Sequence, residues 1–365
     1  VFGDFKIKTN KPTNIKYHGF KKSFWTAIYN RELAVFWPKV RMIHYVLEMP
    51  LTAYVADKQN PLNHAIACQH RFCCEMPDSE KQVTDLFVDY SKKMVRSLFD
   101  PLDSNRYKTR REWIRLAKYG MNRKKAMFMK LRKHGRIYWQ GTASSKSFVK
   151  HEPYFVQKHP RAINSPTDCT KVLFGPVIKA IEEELFHCQK TKRFFVKGMD
   201  PKELPKILFD YFGQHSVIET DYSSFESHHE NYRAEVVHYF VMHMVRKTLP
   251  PDTRRLLSYM IKDGVNDTHW KHFSCAVHER LMSGVVWTSM ANSFLNFMMM
   301  AFMHSMRCEG SYDEFLRNGF PSVDKLMDHF QGFRGIFEGD DGLTLDFGPD
   351  KELIKAMGNK LKFDV

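Results

Sequence analysis

Two aspartates, Asp340 and Asp341, stand side by side in Gly339-Asp340-Asp341-Gly342, between the short apolar runs Ile336-Phe337-Glu338 and Leu343-Thr344-Leu345. The runs read as two strands and the residues between them as a hairpin with acids at its tip, because Gly and Asp tolerate the positive φ of tight turns. Adjacent carboxylates repel one another, and a divalent cation relieves that repulsion. Neighbouring side chains on a strand point to opposite faces, so the two acids need not do the same job. Alone, the tetrapeptide also suits an ordinary polar turn. A third acid makes it more specific. Asp221 closes a separate apolar strand, Val217-Ile218-Glu219-Thr220, and opens Asp221-Tyr222-Ser223-Ser224-Phe225-Glu226-Ser227-His228. An acid at a strand end and acids at a hairpin tip can meet if their strands are neighbours. They then offer the oxygen ligands that hard cations favour. Two such cations stabilise the attacking and leaving oxygens of an in-line phosphoryl displacement.

Two further groups lie along the chain. Ser283-Gly284 precedes a helical stretch in which Thr288 and Asn292, four apart, share one face. A Ser-Gly turn at a helix start suits close approach to a sugar or phosphate, although a plain helix cap uses the same residues. Upstream, Lys150-His151-Glu152 and Lys158-His159-Pro160-Arg161-Ala162-Ile163 supply cations that can neutralise charge building up on a triphosphate. The plainer reading is a basic edge strand.

The elements that must hold these groups are only partly legible. Trp25, Phe36 and Trp37 suggest packed helices within residues 1–100, and Pro101 to Asn105 punctuate a boundary. Residues 106–140 read as basic helices, 146–176 as strand and loop, 177–190 as a helix rich in Glu182, Glu183 and Glu184, and Ser227 to Thr248 as a helix. Residues 284–304 read as one long helix. Its core, Val285 to Met303, approaches the length of a membrane span, but it carries Thr288, Ser289, Asn292, Ser293 and Asn296, and Asn at two depths is costly in lipid, which favours a helix buried in a large core. His228 is assigned to packing or a hydrogen bond.

The 365 residues carry 56 Lys and Arg against 41 Asp and Glu, a formal charge of +15. That balance favours partners bearing phosphates. It is concentrated: from Arg106 to Arg136 there are thirteen Lys or Arg and one acid, Glu112. Arg110, Arg111, Arg123, Lys124 and Lys125 are the candidate RNA-binding residues, with Tyr107, Trp113, Tyr119 and Tyr138 interleaved to stack on unpaired bases. The seven cysteines are scattered, and no signal peptide is visible, which reads as a reducing, intracellular protein or a fragment of one. Cys68, His70, Cys73 and Cys74 are zinc-ligand types at a spacing that fits no common finger, so buried or surface thiols are the favoured reading.

The order of basic strand, acid strand, Ser-Gly helix and acidic hairpin resembles the RNA-directed RNA polymerases of positive-strand RNA viruses, in particular the tombusvirus- and nodavirus-like group, over about residues 105–365. The resemblance implies an α+β right-hand polymerase fold of fingers and palm, the palm an RRM-like antiparallel sheet with helices, and the thumb largely beyond this chain. Residues 1–105 would be an N-terminal extension or fingers. Residues 106–200 would be fingers with a basic channel, and 201–365 palm, with more of the fingers inserted at about 230–280. The implied activity is template-directed nucleotidyl transfer from NTPs to an RNA 3′-hydroxyl. Mg²⁺ or Mn²⁺ would sit at Asp221, Asp340 and Asp341. Lys150, Lys158 and Arg161 would contact the triphosphate. Ser283, Gly284, Thr288 and Asn292 match the ribose-selecting motif, with Glu226 where the family commonly has Asp. Lys197-Gly198 resembles the segment that precedes the first palm motif, and Lys360 and Lys362 are candidates for the lysine that protonates pyrophosphate. The implied partners are RNA template, nascent strand and NTPs, without DNA, in the host cytoplasm, with a membrane-bound replication complex as a candidate assembly. Glu338, two positions before the aspartate pair, lacks the aromatic character usual in reverse transcriptases. A reverse transcriptase and a non-catalytic basic RNA-binding protein remain the alternatives.

Overall fold

A computed structural model describes residues 15–20, 39–44, 50–72, 77–103, 108–133, 144–154, 159–222, 225–229, 231–262, 266–277 and 280–364. In chain order the elements begin with strands β1 (Ile15–Phe20), β2 (Lys39–His44) and β3 (Pro50–Val55), then helices α1 (Pro61–Phe72), α2 (Lys81–Leu98), α3 (Arg110–Leu116) and α4 (Met121–Lys133). Strands β4 (Ser144–Val149), β5 (Pro153–Tyr154) and β6 (Ala162–Pro166) lead to α5 (Asp168–His187) and α6 (Leu204–Phe212). Next come β7 (Val217–Tyr222), α7 (Asn231–Val245), α8 (Pro251–Lys262), β8 (Asn266–His269) and β9 (Phe273–Val277). The chain continues with α9 (Thr288–Glu309), α10 (Tyr312–Asn318), α11 (Val323–Asp328), β10 (Gly335–Glu338), β11 (Asp341–Leu345), α12 (Lys351–Ala356) and β12 (Leu361–Asp364). The class is mixed α+β. The chain divides into two compact units, each assembled from three separate segments.

One unit comprises residues 1–75, 138–167 and 263–285. Its five-stranded sheet has the order β1-β9-β8-β4-β6, and β2-β3-β5 form a second sheet. Helix α1 packs on β4 and β6. Its described N-terminal residues include three strands as well as helix α1. Strand β2 pairs with its neighbour β3, but the other partners are remote: Ile15 pairs with Val277, and Tyr54 with Tyr154. A local hydrophobic pattern cannot show a ladder whose other half lies far along the chain. Trp25, Phe36 and Trp37 lie outside the described residues.

The other unit comprises residues 76–137, 168–262 and 286–365. Its four-stranded antiparallel sheet has the order β10-β11-β7-β12. Phe195 adds a parallel bridge to Phe337 on β10. Helix α9 runs through the core and packs on β10, β11, α2, α5, α7 and α11. It has no Gly or Pro in its 22 residues and buries fifteen of them, chiefly Met, Phe and Ala. Phe294 stacks on Phe240 of α7 with ring centroids 4.1 Å apart, and Phe297 meets Phe194, Phe333 and Phe337. Among the described residues no helix is long and apolar enough to cross a membrane. Helix α5 begins at Asp168 rather than at residue 177 and continues through Pro176. Interior proline costs a helix a hydrogen bond, but nearly every side chain from Thr170 to Ile181 is buried, so packing outweighs that loss.

Candidate active site

The acids come together through strand register. Strand β11 pairs antiparallel with β7, matching Leu343 with Glu219 and Gly342 with Thr220. The ladder ends at that pair, and Asp341 and Asp221 are the next residues of the two strands. The strand end and the hairpin tip are therefore neighbours, as the sequence required for a shared site. Glu338 faces Asp341 across β10 and β11, leaving Gly339 and Asp340 as a two-residue turn. Gly339 has φ +69°, whereas Asp340 is not among the residues with positive φ. One glycine at the first central position is the II′ pattern that matches strand twist, so Gly alone, not Gly and Asp, supplies the unusual conformation.

Buried polar groups hold this turn in place. The Gly339 N–H donates to Ser293 Oγ at 2.8 Å, and Asn296 Nδ2 donates to the Asp340 carbonyl at 2.9 Å. Thr220 Oγ1, on β7, lies 3.4 Å from the carbonyls of Asp340 and Gly342. Tyr222, next to Asp221, donates its hydroxyl to Asn296 Oδ1 at 3.1 Å. Burial pushes the Tyr222 pKa up, which keeps that donor protonated. Ser293 and Asn296 are fully buried. The sequence reading treated both only as obstacles to a membrane span. Ser289, Ser293 and Asn296 recur at helical spacing inside an apolar helix, and that polar stripe was the available signal. Lys197 reaches the same stripe: its Nζ donates to Ser289 Oγ at 2.9 Å and lies 3.4 Å from Glu182.

The carboxylates of Asp340 and Asp341 are exposed. Asp340 makes no ion pair with the described residues, so its charge is available to a ligand. An all-oxygen donor set at a pinned backbone suits a hard divalent cation. Among the described side chains, no three His, Cys, Asp or Glu residues converge on a metal position. The Asp221 side chain is outside those described, and the backbone register alone places it.

On the other side of β7, β12 sets Lys362 in register with Asp221. The segment leading into β12 is clamped. Buried Arg233 donates to the carbonyls of Met357 and Gly358, at 2.6 and 2.9 Å, and to Asn359 Oδ1 at 2.7 Å. Tyr232 donates to the Met357 carbonyl at 2.7 Å. His228 is fully buried, stacks on Phe225 and accepts the Lys360 N–H at 3.1 Å. Its role is thus structural. Glu226 lies in the one-turn helix Phe225–His228. Thr288 and Asn292 occupy the first two turns of α9, where Asn292 Oδ1 is buried with no hydrogen-bond partner among the described residues.

The basic motif belongs to the other unit. Lys150 and Arg161 face each other at the ends of β4 and β6, the Lys150 N–H donating to the Arg161 carbonyl at 2.8 Å. Both side chains approach Glu152, at 2.5 and 3.7 Å. Lys158 lies outside the described residues. The Ser-Gly expectation needs correction: α9 starts at Thr288 with Trp287 as its cap, so Ser283-Gly284 is not the helix start. Instead the Asn164 N–H of β6 donates to the Ser283 carbonyl at 2.8 Å. Gly284 has φ +94°, and a Cβ there would sit 2.6 Å from the Asn164 carbonyl oxygen. The close approach that demands glycine is to a strand.

The basic helices α3 and α4 also differ from expectation. Trp113 lies against Gly175 and, with Tyr119, packs around Ile114, Met127 and Val172. Both aromatics are half-buried, each with one part packed on this small core. Tyr107 and Tyr138 lie outside the described residues. Arg123 donates to Asp168 at 3.0 Å and covers the Tyr119 ring, and Lys124 donates to the Arg115 carbonyl at 2.6 Å. Arg111 and Lys125 are exposed, and Arg110 is half-buried. Buried Cys68 lies 3.8 Å from the Cys275 sulfur, a thiol contact. The His70 side chain, Cys73 and Cys74 lie outside the described residues.

A family described as viral RNA-dependent RNA polymerase matches residues 169–361, more than half of the chain. The chain belongs to that family. Comparison with curated proteins gives no match. Viral RNA-dependent RNA polymerases act on an RNA template with nucleoside triphosphates and use divalent metal ions, and neither alternative reading is favoured. The matched stretch of this polymerase contains Asp221, Glu226, Ser283, Gly284, Thr288, Asn292, Asp340 and Asp341. It begins after Lys150, Lys158, Arg161 and the basic helices α3 and α4.

Proposed function

We propose that the four-stranded sheet is the palm of a right-hand polymerase related to the tombusvirus- and nodavirus-like group, and that its acidic end performs two-metal nucleotidyl transfer. The observation that carries this reading is the β7–β11 register, which brings Asp221 to the Asp340-Asp341 turn. Asp221, Asp340 and Asp341 would hold Mg²⁺ or Mn²⁺. When bound, the metal lowers the barrier by activating the primer 3′-hydroxyl and screening the triphosphate. The chain's own residues do the rest. The turn, pinned by Ser293 and Asn296, holds the carboxylates so that little reorganisation accompanies reaction. Lys150, Arg161 and Lys158 neutralise triphosphate charge. Asn292, whose buried oxygen has no partner among the described residues, accepts a hydrogen bond from the ribose, with Thr288, Ser283, Gly284 and Glu226 contributing to sugar selection. Lys360 or Lys362 supplies a proton to pyrophosphate. Arg110, Arg111, Arg123, Lys124 and Lys125 contribute to RNA binding, the exposed Arg111 and Lys125 most directly.

The test is RNA-templated incorporation of labelled NTPs and dNTPs with Mg²⁺ or Mn²⁺. Incorporation of NTPs well above dNTPs, lost in Asp221→Asn, supports the reading. Efficient use of dNTPs would instead indicate a reverse transcriptase.

A further inference from the structure

Asn296 lies at the centre of α9 with both ends of its amide engaged by different elements. Nδ2 donates to the Asp340 carbonyl at 2.9 Å, and Oδ1 accepts from the Tyr222 hydroxyl at 3.1 Å. Thr220 Oγ1 is 3.5 Å from Nδ2. The amide has only one workable orientation. A carbonyl can only accept, so Nδ2 must face Asp340, and Oδ1 is left for Tyr222, whose hydroxyl must donate. Three residues earlier on the same helix, Ser293 accepts the Gly339 N–H. The two side chains therefore hold backbone groups on consecutive residues of the turn, while Asn296 also holds the residue after Asp221.

We infer that Asn296 is a positioning residue. It sets the spacing between the end of β7 and the β10–β11 turn, and so sets the affinity of the acidic end for a divalent cation. This rests on the metal-site reading above and adds a determinant outside the carboxylates. Packing alone does not account for Asn296. Its neighbours Leu295, Phe297, Met298, Met299 and Met300 fill the same core without polar atoms. Helix α9, straddled by packed elements, is a rigid base from which one short amide fixes two strands at once. Groups that orient metal ligands from behind commonly change metal affinity by about 10–100-fold when removed.

The experiment is Mn²⁺ titration of the purified chain, without RNA or nucleotide, reading free Mn²⁺ by electron paramagnetic resonance. Parent, Asp340→Asn, Asn296→Leu and Tyr222→Phe are compared, with metal-free thermal melts as the check of folding. The expected result is weaker Mn²⁺ binding in all three variants, by about 10–100-fold for Asn296→Leu and less for Tyr222→Phe. RNA synthesis by the latter two should shift to higher Mg²⁺ concentration. If Asp340→Asn loses affinity while folded Asn296→Leu and Tyr222→Phe bind as the parent does, the positioning role is overturned and the metal site stands. If Asp340→Asn binds Mn²⁺ like the parent, the metal-site reading fails and takes the inference with it. Should Asn296→Leu not fold, Tyr222→Phe decides alone, because it removes one oxygen and no packing volume.

Discussion

The acidic turn of one unit and the basic strand pair of the other are held by different means. Gly339 and Asp340 are fixed through their backbone by Ser293, Asn296 and Thr220, groups sealed in the core. Lys150 and Arg161 are held through side chains by one carboxylate, Glu152, and remain 38% and 48% exposed. Buried hydrogen bonds are costly to break and fix geometry to fractions of an ångström, whereas exposed ion pairs contribute about 0–1 kcal/mol and yield readily. The contrast matches the proposed chemistry. Metal-assisted transfer depends on ligand placement, while charge neutralisation tolerates some freedom of a long side chain.

That contrast can be broken or sharpened by mutation. The largest stability effect is expected for Arg233→Met. It removes three hydrogen bonds made by a buried guanidinium and takes that donor from Gly358 and Asn359, while Met357 keeps Tyr232, and should cost about 3 kcal/mol or more in urea unfolding. A near-neutral result would mean that the buried clamps of this unit are no firmer than surface pairs. Gly284→Ala should cost about 1–3 kcal/mol, measured the same way, because alanine is strained at φ +94° and its Cβ meets a strand carbonyl. Here backbone geometry, not charge, sets the cost.

A pH scan probes a buried group of the acidic unit away from the turn. Burial, with His329 and Arg334 nearby, depresses the His304 pKa from 6.5 to about 4. Between those values the unfolded chain binds more protons, so this contribution to stability is full above about pH 6.5 and is lost as pH falls towards 4. Thermal melts from pH 4.5 to 7 should show that slope, flattened in His304→Phe. The smallest effect is expected for Glu152→Gln. It should change unfolding free energy by less than about 1 kcal/mol, while lowering the KM for NTP as Lys150 and Arg161 lose their competing anion.

Sequence alone points to the proposed metal ligands more readily than to the groups that hold their backbone. Asp221, Asp340 and Asp341 stand out because acids at strand ends and turns have few other reasons to recur in that order. Strands β7, β10 and β11 were legible from short apolar runs flanking those acids. Strand β1 was not, since its partner β9 is distant in the chain. Ser293 and Asn296 were misjudged because polar residues in an apolar helix look like defects until the turn they serve is placed beside them. Trp113 and Tyr119 also pack on a small local core, a structural use that aromatics among cations do not reveal.

The most direct test of the central claim is RNA-templated NTP incorporation by Asp340→Asn beside the parent, with RNA affinity measured on the same preparations. The account predicts that the variant binds RNA as the parent does and loses incorporation by at least about a thousandfold, the scale of removing a group that stabilises charge in the transition state. Incorporation at the parental rate by Asp340→Asn would contradict it and place the chemistry away from this turn.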